Sequence, residues 1–434
     1  MSVEGMNDCM SKPCFMLIDV NSAFLSWEAV YRLQHGDTVD LREIPSVVGG
    51  SEKSRHGIVL AKSVSAKKLY NIKTGEPLVQ AQNKAGHKLV VVPPRHGLYQ
   101  EASNAMINVL QQYSPVVERF SIDEAFLNYT GMERLYGDPV KTAYKIKDEI
   151  QNKLGFTVNI GVSSNKLLAK MASDLEKPNK VHTLWPHEIP QKMWPLPIGD
   201  LYMVGRKTKE KLMSKGIMTI GDLAKCDLTY VKKWIQGFGE LLWHFANGRY
   251  IESDKGGTAF FQGMLTHNPE SQAKGVGNSS TIAFNLENKD MAYKALLSLS
   301  ETVSNRLRNG NFKAKVIHVT YTTSQLERFG KQKKYLSATN LTQEIYKRAC
   351  EILDELWDMQ PIRAIGIHAT CLSSSDTTQT NMFESENLKS EFIDSTVDSL
   401  REKYGLSIIK RGCFLEEDIH HMLGGSWGNP TNSK

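Results

Sequence analysis

The alternation of hydrophobic and polar positions predicts a mixed α/β layer in the first 185 residues. Short apolar runs are typical of strands, and longer stretches with an apolar residue every three or four positions are typical of helices. The predicted strands are 15–20, 58–61, 89–92, 116–120, 125–129 and 157–162, and the predicted helices are 99–113, 140–154 and 165–172. Strands and helices interleaved in this way indicate a sheet covered by helices.

The pattern changes after residue 185, where four prolines lie between Pro186 and Pro197. A domain boundary is predicted there, because proline sustains neither a helix nor a central strand. Short helices separated by glycines are predicted in 201–249, and 251–277 is polar enough to predict an exposed linker. A third module follows, with helices predicted at 291–309 and 342–356, a β-rich run at 315–322 and a polar connector at 373–380.

One more amphipathic segment lies near the C-terminus, at residues 388–404. Its apolar residues have near-helical spacing. Together with 406–409 it fits two alternatives, docking on another protein or folding back onto the third module.

Charge is distributed unevenly along the chain, whose net charge is +6. Residues 201–250 contain nine Lys and Arg against four acidic residues, and residues 303–348 contain ten against two. Residues 376–434 reverse this balance, with six basic and ten acidic residues. Two basic modules before an acidic tail favour a polyanionic partner.

Length and cysteine content exclude several classes of protein. A chain of 434 residues predicts about three domains, each able to bury a core. The six cysteines form no CxxC pair and have no histidine at zinc-ligand spacing, so we expect reduced thiols. The polar start of the chain and the lack of a long apolar run predict a protein that stays in the cytoplasm.

Three carboxylates are candidates for a metal site. Asp19 ends one predicted strand, and Asp123 and Glu124 begin another. A folded sheet could bring them to one edge, where they would bind Mg²⁺ as phosphoryl transfer requires. Taken singly, such residues are more often helix caps or solvated surface groups.

Several motifs carry a resemblance to a known family. They are Tyr99-Gln100, Ser121-Ile122-Asp123-Glu124-Ala125-Phe126-Leu127, the run 161–170 (GVSSNKLLAK) and Lys177-Pro178-Asn179. In this order they resemble the Y-family, UmuC-like translesion DNA polymerases, over roughly Cys14 to Leu372. The resemblance implies an α+β multidomain, right-hand fold. Its parts are an α/β palm (13–24 and 89–185), small fingers (25–88), a helical helix-hairpin-helix thumb (186–250), a linker (251–277), an α/β little finger (278–372) and a clamp-binding connector with a C-terminal tail (373–434).

The resemblance also implies roles for residues of the active site. Asp19 and Asp123 would bind two Mg²⁺ ions, with Glu124 as the third carboxylate and Val20 as a main-chain carbonyl ligand. Phe24 would be the steric gate that rejects ribose, although a helix-core aromatic is the alternative. The other implied nucleotide-binding residues are Asn21, Ser22, Ala23, Ser65, Lys68 and Lys177.

Two basic regions are implied to bind primer-template DNA. In the thumb, Gly205, Arg206, Lys207 and Lys209 would hold a phosphate at a helix-hairpin-helix turn. The usual first glycine of that turn is replaced by Met203 or Tyr202, so a plain helix N-terminus is an alternative. In the little finger the candidate bases are Arg306, Arg308, Lys313, Lys315, Lys331, Lys333 and Lys334.

The connector contains a candidate partner motif. Gln379-Thr380-Asn381-Met382-Phe383 resembles the pentapeptide by which bacterial polymerases bind the sliding clamp, with Gln379, Met382 and Phe383 as anchors. The other implied partners are primer-template DNA and deoxynucleoside triphosphates, and we expect a monomer that associates with the nucleoid through DNA.

The resulting hypothesis is a translesion DNA polymerase of low fidelity without proofreading. Two alternatives are a palm-fold nucleotidyl cyclase and a noncatalytic DNA-binding repair scaffold. His420-His421 is not expected to bind a metal, because adjacent imidazoles chelate poorly without further ligands.

Overall fold

The computed structural model describes residues 12–50, 57–249, 273–375, 387–415 and 419. Within these ranges no helix is both long and apolar enough to cross a membrane. The chain forms two compact units, one made of Met1–Val47, Ala61–Asn71 and Leu98–Ser271, the other of Val48–Leu60, Ile72–Gly97 and Gln272–Lys434.

The secondary structure alternates as the sequence pattern predicts in the first 185 residues. The strands are β1 Phe15–Val20, β2 Ser46–Gly49, β3 Val59–Lys62, β4 Val90–Val92, β5 Val117–Arg119, β6 Glu124–Asn128, β7 Val158–Ser163, β8 Val181–Thr183, β9 Gly275–Leu286, β10 Phe312–Thr323, β11 Arg328–Thr339 and β12 Ile362–Ser374. The helices are α1 Ala23–Gln34, α2 Val64–Tyr70, α3 Leu78–Ala85, α4 His96–Leu110, α5 Glu133–Tyr136, α6 Pro139–Leu154, α7 Lys166–Ser173, α8 Arg206–Met213, α9 Ile220–Lys225, α10 Leu228–Ala246, α11 Lys289–Asn309, α12 Thr342–Leu356 and α13 Asn387–Tyr404. The predicted helix 99–113 begins three residues earlier, at His96.

The centre of the first unit is a five-stranded sheet in the order β5-β6-β1-β7-β8. Strand β1 pairs antiparallel with both β6 and β7, while β7 and β8 are parallel. Five of the six residues of β1 are buried, as expected for a central strand covered on both faces.

Helices cover both faces of this sheet. On one face Met16 and Ile18 lie in a core with residues of α1, α4 and α6. On the other face Leu17 and Phe126 lie in a core with α7 and with the helices after residue 186.

Gly161 permits the closest packing of α7 on the sheet. A Cβ built at Gly161 would lie 2.0 Å from the carbonyl oxygen of Ala169 and 2.5 Å from the amide nitrogen of Ser173. Only a residue without a side chain fits there, so this glycine sets the distance between β7 and α7.

The prolines after residue 185 produce short irregular turns, while the core continues through them. Ile189 and Met193 are buried in the same core as α7 and the thumb helices. Helix α10 is broken by non-helical residues at Ile235 and Gln236. The predicted palm and thumb therefore share one hydrophobic core.

The second unit contains a four-stranded antiparallel sheet in the order β11-β10-β12-β9. Helices α11 and α12 pack on one face of it, with Leu296, Ile317 and Ile352 in the shared core. The sequence pattern predicted β10 but not the other three strands. Strand β9 begins at Gly275, inside the predicted linker 251–277, and β11 is so rich in lysine that its period of two is obscured.

Helix α13 folds back onto this domain, which is one of the two alternatives for the C-terminal segment. Arg308 on α11 bonds to Asp398 (Nε–Oδ2 2.6 Å) and to Asp394 (Nη1–Oδ2 3.0 Å). Asp394 also accepts from the amide of Thr342 at 2.9 Å, at the start of α12. Glu301 is 4% exposed and pairs with Arg411. These contacts attach the acidic helix to the little finger.

Candidate active site

Two of the predicted carboxylates, Asp19 and Glu124, lie side by side at one edge of the central sheet. Asp19 lies opposite Glu124 on β6 and opposite Asn159 on β7. Directly opposed residues of antiparallel strands point to the same face, so Glu124, Asp19 and Asn159 form a row on the face that α7 covers. The main chain of Asp123 joins this edge, because its carbonyl oxygen accepts from the amide of Val20 at 3.0 Å.

Two lysines lie against the carboxylates. Lys177 Nζ is 2.6 Å from Asp19 Oδ2 and 2.8 Å from Asp174 Oδ1. Lys170 Nζ bonds to Glu124 and lies 3.8 Å from Asp19 Oδ2. Lys170 reaches this position because α7 approaches the sheet so closely at Gly161.

The carboxylates of the site lie close enough together to change the pKa values of their neighbours. Burial and the negative charges of Asp19 and Asp123 together raise the pKa of Glu124 to about 7, against the opposing effect of Lys170. Burial by itself would lower the pKa of Lys177, but Asp19 and Asp174 outweigh it and raise that pKa above its usual range. A site that stabilises added positive charge in this way is suited to bind cations.

The carboxylates of this edge are candidate ligands for a divalent metal ion. Among the described residues, no three acidic, histidine or cysteine side chains stand close enough together to enclose a metal ion. Lysine ammonium groups lie against Asp19 and Glu124, and Asp123 Oδ1 accepts from Ser121 Oγ at 2.6 Å. The donor set itself fits Mg²⁺, since these are hard oxygen ligands whose mutual repulsion a divalent cation would relieve.

The start of α1 lies next to this edge. Its N-cap residue Ser22 has φ +49° and makes no side-chain capping bond, so that hydroxyl does not satisfy the first amides of α1. Phe24 is partly exposed and stacks on Tyr99, with ring centroids 4.6 Å apart. Phe24 also packs against the core that α1, α4 and α6 share with the sheet, so its role as a steric gate stays a prediction. Ala23 is buried.

The side chain of Asn21 is hydrogen-bonded within the protein. Its side chain bonds to Asn159, to Thr157 and to the main chain of Asn179. The side-chain amide therefore joins neighbouring segments of the protein. The role of Asn21 in binding nucleotide stays a prediction.

Ser65 and Lys68 both lie on α2. Lys68 is exposed and Ser65 is partly exposed. Their predicted contact with a triphosphate is not tested by this geometry.

The residues predicted to form the thumb hairpin make a turn that leads into α8. Gly205 is the N-cap of α8, and Arg206, Lys207 and Lys209 are exposed on that helix. The glycine-like position is Met203, which has φ +74°. Lys207 lines a surface cleft with Thr208, Lys211, Ile235 and Gln236, beside the break in α10.

The bases predicted to bind DNA in the little finger divide into two groups. Arg308 and Lys313 pair with carboxylates of α13, Arg306 donates to the carbonyl of Gly277, and Lys331 and Lys333 pair with Glu355 of α12. Lys315 and Lys334 are exposed. Because side chains alternate along a strand, Lys334 points away from the helix-covered face toward which Lys331 and Lys333 point. Contact of any of these bases with DNA stays a prediction.

The predicted clamp motif, Gln379 to Phe383, lies outside the described residues, as does His420-His421.

Two residues of this site were missed by the sequence reasoning. Lys170 ends the motif 161–170, but no role was assigned to it there, and Asn159 lies outside the motifs. The spacing of Lys170 and Asp174, four residues apart at the end of a helix, was an available hint, and their ion pair is 3.5 Å long. Asn159 could be found only from strand register.

Comparison with known proteins finds relatives that all belong to one family of DNA polymerases. Residues 18–174 match the impB/mucB/samB family, and residues 273–382 match the C-terminal domain of the same family. The chain is 42% identical over 414 residues to DNA polymerase IV of Clostridium acetobutylicum, covering 94% of this chain and 100% of the relative. It is 36% identical to DNA polymerase IV of Acetivibrio thermocellus, over 92% of this chain and 96% of the relative.

Solved structures support the same fold. A Y-family DNA polymerase chimera of Dbh and Dpo4 matches with a TM-score of 0.66 at 24% identity, over 83% of this chain and 99% of that one. DinB from Sulfolobus solfataricus matches with a TM-score of 0.52 at 26% identity, over 82% and 98%. The predicted UmuC-like branch is not confirmed, since the curated relatives are named DNA polymerase IV.

Proposed function

The chain belongs to the impB/mucB/samB family of Y-family DNA polymerases and is a DNA-directed DNA polymerase. We propose that it copies damaged templates by two-metal nucleotidyl transfer. The observation that carries the proposal is the row of Glu124 and Asp19 at the sheet edge, joined there by Asp123. We further propose low fidelity and no proofreading, because every described module is accounted for by palm, fingers, thumb and little finger.

Divalent metal use is expected of this family. Asp19, Asp123 and Glu124, with the main-chain carbonyl of Val20, would hold two Mg²⁺ ions. When bound, such ions lower the pKa of a primer 3′-hydroxyl and neutralise charge on the triphosphate. The positive charge of Lys170 opposes protonation of Glu124, because it lowers the pKa of that buried carboxyl.

Lys177, Phe24 and the start of α1 would position the incoming nucleotide. Lys177 is the cation nearest Asp19, so it is placed to contact a phosphate oxygen. Unpaired amides at the start of a helix favour anions. Phe24, supported from behind by Tyr99, would exclude a 2′-hydroxyl by collision. Ser65 and Lys68 would add contacts from the fingers.

The DNA would be held by the thumb and the little finger. Gly205, Arg206, Lys207 and Lys209 offer helix amides and exposed bases for a phosphate. In the little finger we propose the exposed lysines Lys315 and Lys334, since Arg308 and Lys313 are already paired with acidic side chains. A basic surface of this kind binds the backbone without reading sequence.

Primer extension with Mg²⁺ tests the proposal. Wild-type protein should extend a labelled primer on undamaged and lesion-bearing templates, and EDTA or the change Asp123→Ala/Glu124→Ala should abolish extension. Asp148→Asn removes an exposed carboxylate of the same domain and should leave extension intact. A folded, DNA-binding wild type that extends no primer would favour a noncatalytic scaffold instead. Conversion of a nucleoside triphosphate to a cyclic product without primer would favour the cyclase.

A second experiment addresses the sliding clamp. With clamp loaded on a primed circular template, the wild type should make longer products than without it. Gln379→Ala/Met382→Ala/Phe383→Ala should lose this gain while short extension without clamp is unchanged. An equal gain in both proteins would exclude the motif as the clamp-binding site.

A further inference from the structure

Asn159 is a fully buried amide in the middle of the active-site row. It is 0% exposed and lies on β7 directly opposite Asp19. A side-chain amide has two donor and two acceptor positions, and Asn159 uses all four. It donates to the carbonyls of Ser173 (3.1 Å) and Glu176 (2.6 Å). It accepts from the side chain of Asn21 (3.1 Å) and from the amide of Lys180 (3.3 Å).

These four bonds converge on the segment that carries Lys177. Ser173 ends α7 just before the segment, Glu176 directly precedes Lys177, and Lys180 follows three residues later. One buried side chain thus fixes the segment on both sides of Lys177.

Asn21 extends the same network from the other side. Its Oδ1 accepts from the amide of Asn179 at 2.9 Å and from Thr157 Oγ1 at 3.0 Å. The main-chain amide of Asn21 also donates to the carbonyl of Thr157 at 3.0 Å. The turn after Asp19 and the segment around Lys177 are therefore joined through two asparagines.

We propose that Asn159 is a positioning residue for the incoming nucleotide, acting through Lys177. Its amide holds residues 174–180 in the one arrangement that sets the Lys177 ammonium group beside Asp19. This inference rests on the proposed function, in which Lys177 binds the triphosphate.

The change Asn159→Asp tests this with minimal change of shape. The carboxylate keeps two acceptor positions but cannot donate to Ser173 and Glu176, so two carbonyl oxygens would face an acceptor. Because a lost hydrogen bond in a buried site weakens binding that depends on it by roughly tenfold, we expect the Kd for the incoming nucleotide to rise about tenfold. The rate constant at saturating nucleotide should change less. Asn152→Asp, on the exposed face of α6, is the matched control and should change neither.

A double-mutant cycle separates positioning through Lys177 from general damage. Lys177→Ala should itself raise the nucleotide Kd about tenfold or more. In the Lys177→Ala background, Asn159→Asp should have little further effect on Kd, since the group it positions is gone. If the two effects multiply, Asn159 does not act through Lys177 and the inference is overturned.

Hydrogen exchange provides a readout independent of catalysis. The amides of Asn179 and Lys180 should exchange faster in Asn159→Asp than in the wild type or Asn152→Asp. Faster exchange with an unchanged nucleotide Kd would reduce Asn159 to a structural residue, and unchanged exchange would remove the proposed mechanism. Failure of the proposed function is recognised separately, by a wild type that extends no primer or by a Lys177→Ala protein with normal nucleotide Kd.

Discussion

Single residues in this protein take conformations or partners that their neighbours impose. Met203 is held at φ +74° in the thumb hairpin, a region that glycine occupies at little cost and other residues avoid. Its side chain is partly buried against the core of α7 and the thumb. The residue that replaces glycine thus gains packing and loses backbone freedom.

The opposing effects of side-chain packing and backbone strain at Met203 lead to a prediction about stability. Met203→Ala and Met203→Gly both lose the packing of the side chain, but only glycine relieves the backbone strain. We expect Met203→Gly to have a higher free energy of unfolding than Met203→Ala by about 1 kcal/mol. Denaturant unfolding of the two variants measures the difference. Equal stabilities would mean that the left-handed backbone costs nothing there.

A second residue-scale prediction concerns pH. The Arg42 guanidinium hydrogen-bonds to Asp40 and holds the pKa of that carboxyl below its usual range, while Arg42 Nη1 also donates to the carbonyl of Gly155. A depressed pKa contributes stability above the unfolded-state pKa, and that contribution is lost as the pH falls through the folded-state value. Arg42→Gln should therefore lower the free energy of unfolding near pH 6 by about 0.5 kcal/mol. At acid pH the difference in free energy of unfolding between wild type and Arg42→Gln should become smaller. What remains is the contribution of the hydrogen bond from Arg42 to the carbonyl of Gly155.

Unfolding curves from pH 6 to pH 2 measure this dependence. In an Asp40→Asn background, the effect of Arg42→Gln should no longer vary with pH. A pH dependence that survives Asp40→Asn would assign it to another group.

At the scale of elements, the active site depends on how closely α7 packs on the central sheet. Gly161 allows that approach, and Lys170 and Ser173 consequently reach Glu124 and Asn159. The two buried faces of β1 anchor the same sheet edge from both sides. Stability and catalysis share this one helix–sheet contact.

Gly161→Ala tests that contact. The added methyl would overlap the main chain of α7, which cannot give way as the tip of a side chain can. We expect a loss of at least about 2 kcal/mol in the free energy of unfolding, measured by thermal or denaturant unfolding. Gly97→Ala is the matched control, because a Cβ at Gly97 meets nothing within 4 Å and alanine favours the helix. A neutral Gly161→Ala would show that α7 can shift without cost.

At the scale of the whole molecule, the acidic C-terminal helix changes which bases of the little finger remain available. Arg308 is bound by Asp394 and Asp398, and Lys313 is paired with Glu391. The net charge of residues 303–348 is therefore larger than the positive charge available to a DNA backbone. Lys334, on the strand at the edge of the sheet, is exposed.

The salt dependence of DNA affinity distinguishes these bases. Each phosphate contact contributes about 0.9 to the slope of log affinity against log salt. Lys334→Gln should reduce the slope by about that amount, whereas Arg308→Gln should leave it unchanged although it lowers stability. Titrations of primer-template DNA at several salt concentrations measure both. A reduced slope for Arg308→Gln would mean that α13 leaves the little finger when DNA binds.

The sequence predicted the elements that have a clear local signal. Strand β1 and helix α12 have the predicted bounds, because an apolar run and an amphipathic period are properties of consecutive residues. The motifs around Asp123 and Lys177 identified the Y-family, since the type and order of residues can be compared without a structure. Strands β2, β8, β9, β11 and β12 were not predicted. For the polar β9 and the lysine-rich β11 the reason is that such strands acquire their pattern only from their partners in the sheet.

The sequence by itself determined the chemistry available to this protein: the three carboxylates, the basic modules, the acidic tail and the order of the elements. The tertiary structure decided which of these groups act on one another. Strand register placed Asn159 opposite Asp19, the approach of α7 at Gly161 brought Lys170 to Glu124, and the return of α13 paired Arg308 with Asp394 and Asp398. The physical reason is that charge compensation and hydrogen bonding depend on distances of a few ångströms between residues far apart in the chain, and only the fold sets those distances.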